Sequence, residues 1–194
     1  MADRDPRLGC VLLAAGAGRR FGGPKQIAEW RGAPLLEWAL DAALGVPALD
    51  PLVVVLGAHA EEVAASVDLS PATVAYAPDW EEGQAASLRA GVAALGAVDG
   101  AVVLLADTPF VTAQVVAGVI DHHSSGCDVV RAVYGGQPGH PVLLGPAALA
   151  RVPECSGDVG ARALFAQLRV RDWEAGHLCD PTDIDTRTQL EAIA

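Results

Sequence analysis

The sequence has no apolar run approaching the ~20 residues that a membrane-spanning helix needs. It also has no C-x-x-C pair, no internal repeat, no low-complexity tract and no linker. Each absence removes a class of protein. A spanning helix is excluded, a cysteine-based zinc site lacks its spacing, and one domain over residues 1–194 is expected. The N-terminal stretch MADRDPRLG is charged and enters an apolar strand without a cleavable signal pattern, which makes a cytoplasmic protein the expectation.

Positive charge is scarce too. Thirteen Lys and Arg stand against 24 Asp and Glu, for a formal net charge of -11. Nucleic acids and anionic membranes are held by basic surfaces, so neither partner is expected. A small anionic ligand is not excluded, because it needs only a few local donors.

What the chain does have is a folded composition, 52% hydrophobic and 19% charged. Near-continuous apolar runs at 10–14, 52–56, 73–76 and 101–105 predict strands covered on both faces. Weaker strands are expected near 128–133, 141–144 and 169–173. Helical spacing covers 34–44, 59–66, 84–96, 112–122, 159–168 and about 186–193, with Thr112 and Asp158 as N-caps. This alternation predicts an α/β fold, a single-domain, doubly wound (Rossmann-like) three-layer sandwich on a mostly parallel sheet. Ligands in such folds sit beyond the carboxyl ends of the strands, so the loops after residues 14, 56, 76, 105 and 140 should carry the chemistry. Cys10 and Cys127 read as core residues, and His122 and His123 as solvated residues ending a helix.

The first of those loops runs Ala14-Ala15-Gly16-Ala17-Gly18-Arg19-Arg20-Phe21-Gly22-Gly23-Pro24-Lys25. Small residues let backbone N–H groups approach phosphate oxygens, and the three cations add charge. A Walker loop fails here: Gly18 and Gly23 have its spacing, but Pro24 holds the lysine position and Gln26 the hydroxyl position. A dinucleotide fingerprint fits Gly16 and Gly18, then meets Phe21 at its third glycine and no acid at the end of the second strand near Gly57.

LAAGAGRRFGGPK does resemble the opening loop of the MobA-like nucleotidyltransferases, the molybdopterin guanylyl- and cytidylyltransferases, whose pattern is close to LAAGxGxRMGxxK. The resemblance extends over nearly the whole chain. It implies a nucleotide-diphospho-sugar transferase type of fold, with Ala14, Ala15, Gly16, Gly18, Arg19 and Lys25 binding nucleotide and Arg19 and Lys25 acting in catalysis. Ala106-Asp107-Thr108-Pro109 is similar to the family's G-D-x-P segment, which makes Asp107 catalytic and a Mg²⁺ ligand; a turn aspartate is the plainer alternative. Asp183-Ile184-Asp185-Thr186 resembles D-I-D-T-P-E-D, which makes Asp185 the second metal ligand, a helix N-cap, or both. Arg187-Thr188-Gln189 replaces Pro-Glu-Asp there and is expected to weaken the helix start.

Pro78–Ser87 looks like the family's base and ribose segment, with Gly83 and Ser87 as contacts, although Ser87 also reads as a surface hydroxyl. Gly139-His140-Pro141 and Gly157-Asp158-Val159-Gly160-Ala161-Arg162 resemble elements of the molybdenum cofactor cytidylyltransferase branch, which places His140 and Arg162 on the acceptor side. The resemblance thus implies an enzyme using CTP, with GTP as the alternative, Mg²⁺ and a molybdenum-pterin, and serving a molybdoenzyme or its chaperone. Three other readings stay open. They are another phosphate acceptor such as a sugar phosphate, an NAD(P)-dependent reductase using Gly16 and Gly18, and a non-catalytic nucleotide sensor.

Overall fold

Apolar runs without polar alternation form the middle of the sheet in the computed structural model of the protein, which describes residues 6–124 and 126–193. In chain order the elements are β1 (Leu8–Ala14), β2 (Glu29–Trp30), β3 (Ala33–Pro34), α1 (Leu35–Leu44), β4 (Leu49–Leu56), α2 (Ala60–Ser66), β5 (Thr73–Tyr76) and α3 (Gln84–Leu95). There follow β6 (Gly100–Leu105), α4 (Ala113–Asp121), β7 (Val129–Tyr134), β8 (Gln137–Leu144), α5 (Pro146–Leu149), β9 (Val170–Glu174) and α6 (Arg187–Ala192). The main sheet has seven strands in the order β5-β4-β1-β6-β8-β7-β9, and β2 and β3 make a separate two-stranded ribbon. Within the main sheet only β8 opposes its neighbours, pairing antiparallel with both β6 and β7.

Strand alternation sorts β1 between two cores. Cys10, Leu12 and Ala14 face α1, α2 and α4 and pack with Leu36, Leu40, Val63, Val115 and Val119. Val11 and Leu13 face α3 and pack with Leu88 and Leu95. Leu12 is fully buried between Val54 of β4 and Leu104 of β6. Truncating such a leucine to alanine costs about 2–5 kcal/mol. The result is the three-layer sandwich expected from the sequence. Cys10 and Cys127 are buried core residues with free thiols, and burial pushes the Cys10 thiol well up. No helix among the described residues is long and apolar enough to cross a membrane.

Three differences from the sequence expectations bear on function. Residues 160–167 form 3₁₀ turns, not an α-helix, and Asp158 caps nothing: the N-cap position is Val159, without a side-chain bond. The cause is local, since Gly157 and Gly160 both take positive φ (69° and 55°) and break the first turn of any α-helix there. His140 lies within β8, not in a loop after it. Because β8 runs backwards, its first residues still reach the edge where β1, β4 and β6 end. Finally, His122 is exposed but stacks on Trp173, with ring centroids 5.0 Å apart.

Candidate active site

β1 ends at Ala14, β6 at Leu105 and β4 at Leu56, and the loops leaving that edge enclose a cleft of about 480 Å³. Its walls are the segment from Leu13 to Arg20, Lys25 and Gln26, Trp80 to Ser87 on the approach to α3, Leu105 to Asp107, and Asp158. Ala14, Ala15, Gly16, Gly18, Arg19, Lys25, Gly83, Ser87 and Asp107 all line it, so the structure brings together most of the residues singled out in the sequence.

The loop is arranged as a nest of donors. Every carbonyl from Ala14 to Gly18 has a protein donor. Gln26 Nε2 donates to Ala14 O and Gly16 O, both at 2.7 Å. Ala58 N–H donates to Ala15 O at 3.0 Å, and His59 Nε2 lies 3.3 Å from Ala17 O. Gly18 O accepts from Gly22 N and Gly23 N at 2.8 and 3.2 Å. By contrast, the backbone N–H groups of Gly16, Ala17, Gly18 and Arg19 have no acceptor among the described residues. Free N–H groups beside acceptor-free space make an anion-binding concavity. Gly18 is required at the turn, because its φ is 60° and a Cβ would fall on the Gly23 carbonyl. Gly16 is different: a Cβ there meets no protein atom within 4 Å and would only fill the cleft.

At the loop's end Lys25 joins the two acids. Lys25 Nζ is 2.5 Å from Asp107 Oδ2 and 3.0 Å from Asp185 Oδ1, with all three side chains 15–18% exposed. Arg20 reaches the other Asp185 oxygen at 2.8 Å. Burial works against the Lys25 charge, but Asp107 and then Asp185 more than offset it, and the ammonium pKa lies above its ordinary value. Asp107 Oδ1 is buried without any hydrogen-bond partner. No cluster of three or more His, Cys, Asp or Glu exists among the described residues, so the protein offers two carboxylates and one unpaired buried oxygen. That set fits Mg²⁺, which takes hard oxygen ligands, commonly one or two carboxylates plus substrate phosphates.

Asp185 comes from far along the chain, and two contacts bring it here. Ile184 is fully buried with Phe21, Trp30 and Leu35, and its N–H donates to Asp107 O at 2.8 Å. Beyond it Thr186 and Gln189 form a capping box, and Gln189 Oε1 also accepts from Asp185 N at 2.9 Å. The helix start is therefore not weakened by the Arg187-Thr188-Gln189 departure, because glutamine at N3 completes the box. The cap is Thr186, which leaves the Asp185 carboxylate for the site.

His140 and Arg162 do not line this cleft. They line a smaller cavity of about 40 Å³ with Arg131 and Phe165, and the two cavities share Leu13 and Gln84. Burial first, then repulsion from Arg162, lowers the His140 pKa to about 4 against the opposing pull of Asp183, so the ring is neutral near pH 7. Ser87 is not a surface hydroxyl: it is 5% exposed in the cleft wall. Gly83 takes φ 109° and packs on Gly157 and Asp158, closing the far end. Arg19 is exposed and makes no bond; the arginine that engages the acids is Arg20.

Sequence reasoning missed two residues. Gln26 was set only against the Walker pattern, where it fails, although a glutamine next to a loop lysine was the available signal. Arg20 counted only as one of the loop's cations, since nothing in an Arg-Arg pair tells which one turns inward.

Comparison with known proteins agrees with this geometry. Residues 10–172 match the MobA-like NTP transferase domain. A protein named nicotine blue oxidoreductase from Paenarthrobacter nicotinovorans is 34% identical over 206 residues, covering 100% of this chain and 97% of that one. Rv0371c from Mycobacterium tuberculosis H37Rv superposes with a TM-score of 0.87 at 29% identity, over 98% of both chains. A manganese complex of Rv0371c gives 0.81 at 27% identity, over 96% of this chain and 97% of that one. Molybdopterin-guanine dinucleotide biosynthesis protein A from Archaeoglobus fulgidus shares the fold, with a TM-score of 0.73 at 21% identity over 95% and 96% of the two chains. A donor nest after the first strand, an acid after the fourth long strand and a match over most of the chain have one common explanation: this chain belongs to the MobA-like NTP transferase domain family.

Proposed function

We propose that the protein moves a nucleoside monophosphate from an NTP to the phosphate of a molybdenum-pterin and releases pyrophosphate. The observation that carries this reading is the pairing of unbonded loop N–H groups with Lys25, Asp107 and Asp185 on one cleft. An NTP laid along the loop would meet N–H donors and three cations at its phosphates. A phosphate acceptor is ionised near neutral pH, so no general base is needed, and positioning with charge neutralisation carries the rate. The acceptor oxygen attacks the α-phosphorus in line while the bond to pyrophosphate breaks. Arg19, Arg20 and Lys25 offset the charge that builds on the departing pyrophosphate. Asp107 and Asp185 would hold Mg²⁺, whose contribution when bound is charge neutralisation at the phosphate oxygens. The cavity with Arg162 and neutral His140 adjoins the cleft through Gln84 and supports an anionic acceptor there. CTP is favoured over GTP on the Gly139-His140-Pro141 and Gly157–Arg162 resemblances.

The test is a panel of CTP, GTP and ATP against molybdenum-pterin and sugar-phosphate acceptors, run with Lys25→Ala and Asp107→Ala. Loss of pyrophosphate release in both variants is expected. Undiminished release in both would refute the site. The full-length relative named as an oxidoreductase favours one second reading, reduction by NAD(P)H in the same cleft. NADPH consumption with a quinonoid dye, unchanged when magnesium is chelated, would select it over transfer.

A further inference from the structure

Five consecutive carbonyls in the loop have protein donors, and a single side chain supplies two of them. Gln26 is 2% exposed, and its Nε2 bonds Ala14 O and Gly16 O at 2.7 Å each. Two acceptors at that distance fix the amide's orientation, since the reverse would set Oε1 against two carbonyl oxygens. Gln26 Oε1 itself is buried with no protein partner.

A peptide unit is planar and trans, so the carbonyl of one residue and the N–H of the next point in opposite directions. Holding Ala14 O and Gly16 O inward therefore aims the N–H groups of Ala15 and Ala17 the other way. Released, either peptide could flip at low cost, because Gly16 and its alanine neighbours impose little steric restraint. A flip would present a carbonyl oxygen to a phosphate oxygen, replacing attraction by repulsion. We propose that Gln26 is a positioning residue for triphosphate binding, holding two loop carbonyls back so that the N–H groups face the phosphates. This rests on reading the cleft as an NTP site.

The experiment measures binding of inorganic pyrophosphate with Mg²⁺ by calorimetry, alongside CTP and GTP, for wild type, Gln26→Met and Gln26→Glu. Thermal unfolding checks that each protein is folded. Methionine keeps the volume and removes both donors, and pyrophosphate affinity should fall about tenfold or more, the scale of one lost bond to a charged group. The glutamate variant gives a second, independent readout. Its buried carboxyl faces two carbonyls, which favours the protonated form and raises its pKa, so it can still donate at about pH 5.5 and not at about pH 8. The wild-type-to-variant affinity ratio should therefore widen as pH rises. A general packing defect would lower affinity by a pH-independent factor.

If a folded Gln26→Met variant binds within about threefold of wild type, or the glutamate ratio is flat with pH, the positioning role is overturned. If the methionine variant does not fold, the glutamate ratio alone decides. If wild type binds neither pyrophosphate nor either nucleotide, the cleft reading fails and this inference falls with it.

Discussion

Replacing Lys25 by methionine should strengthen binding of a free divalent ion, although it removes a residue from the site. Lys25 and Arg20 together occupy three of the four carboxylate oxygens of Asp107 and Asp185. The group is formally neutral, with two positive and two negative side chains. A bare ion entering it must displace the lysine, whereas an ion arriving with a triphosphate gives Lys25 and Arg20 phosphate oxygens to move to. A hydrogen bond to a charged group contributes about 1.5–3 kcal/mol net. Freeing the two acids should therefore raise the affinity for Mn²⁺, used as a spectroscopic stand-in for Mg²⁺, by roughly ten- to hundredfold. Methionine keeps the apolar stem and removes only the charge. Electron paramagnetic resonance of free Mn²⁺, without nucleotide, reads the affinity directly, and transfer activity should drop in the same variant. Adding Asp107→Asn to the methionine variant should abolish the gain. Equal or weaker Mn²⁺ binding by the Lys25→Met variant would show that the acids do not form the cation site.

Three further outcomes are expected from the geometry. Gly18→Ala should lower NTP affinity more than about tenfold at a stability cost of roughly 1–2 kcal/mol, from φ 60° and the Gly23 carbonyl, as measured by calorimetry and urea unfolding. Gln189→Ala should cost about 1 kcal/mol of stability and reduce activity, because Gln189 Oε1 holds the Asp185 and Thr186 backbone; Gln189→Glu, which can complete the same box, should retain most of both. His140 has a folded pKa near 4, depressed by burial and then by Arg162, against an unfolded value of 6.5. The unfolded chain therefore binds the extra proton first, and the stability present above pH 6.5 is lost as pH falls toward 4, by roughly 2–3 kcal/mol. His140→Gln should flatten that part of the urea-unfolding profile.

The sheet was legible because its strands are fully buried: LLA, VVVL and VVLL runs admit few other structures, and all four long parallel strands appear where those runs stand. The loop's chemistry was legible because glycine and cation positions are spelled locally. Less legible was anything set by distant partners. Asp185 reaches the site through Ile184 packing on Phe21 and Trp30, a contact between residues about 160 positions apart that no local pattern encodes. The 3₁₀ turns at 160–167 carry an apolar stripe that reads as α-helical, and only the positive φ at Gly157 and Gly160 overrides it. Gln26 looked like a failed Walker position because its function lies in two carbonyls that sequence does not display.

The most direct measurement tracks the α-phosphorus. The protein is incubated with magnesium, molybdenum-pterin and CTP or GTP labelled at the α-phosphate, and products are separated. Label should appear in a pterin dinucleotide, with unlabelled pyrophosphate released in equal amount, and neither should form with Asp107→Ala. Label remaining on intact nucleotide with every acceptor, while NADPH is consumed in the same preparation, would contradict transfer and leave the cleft to a different reaction.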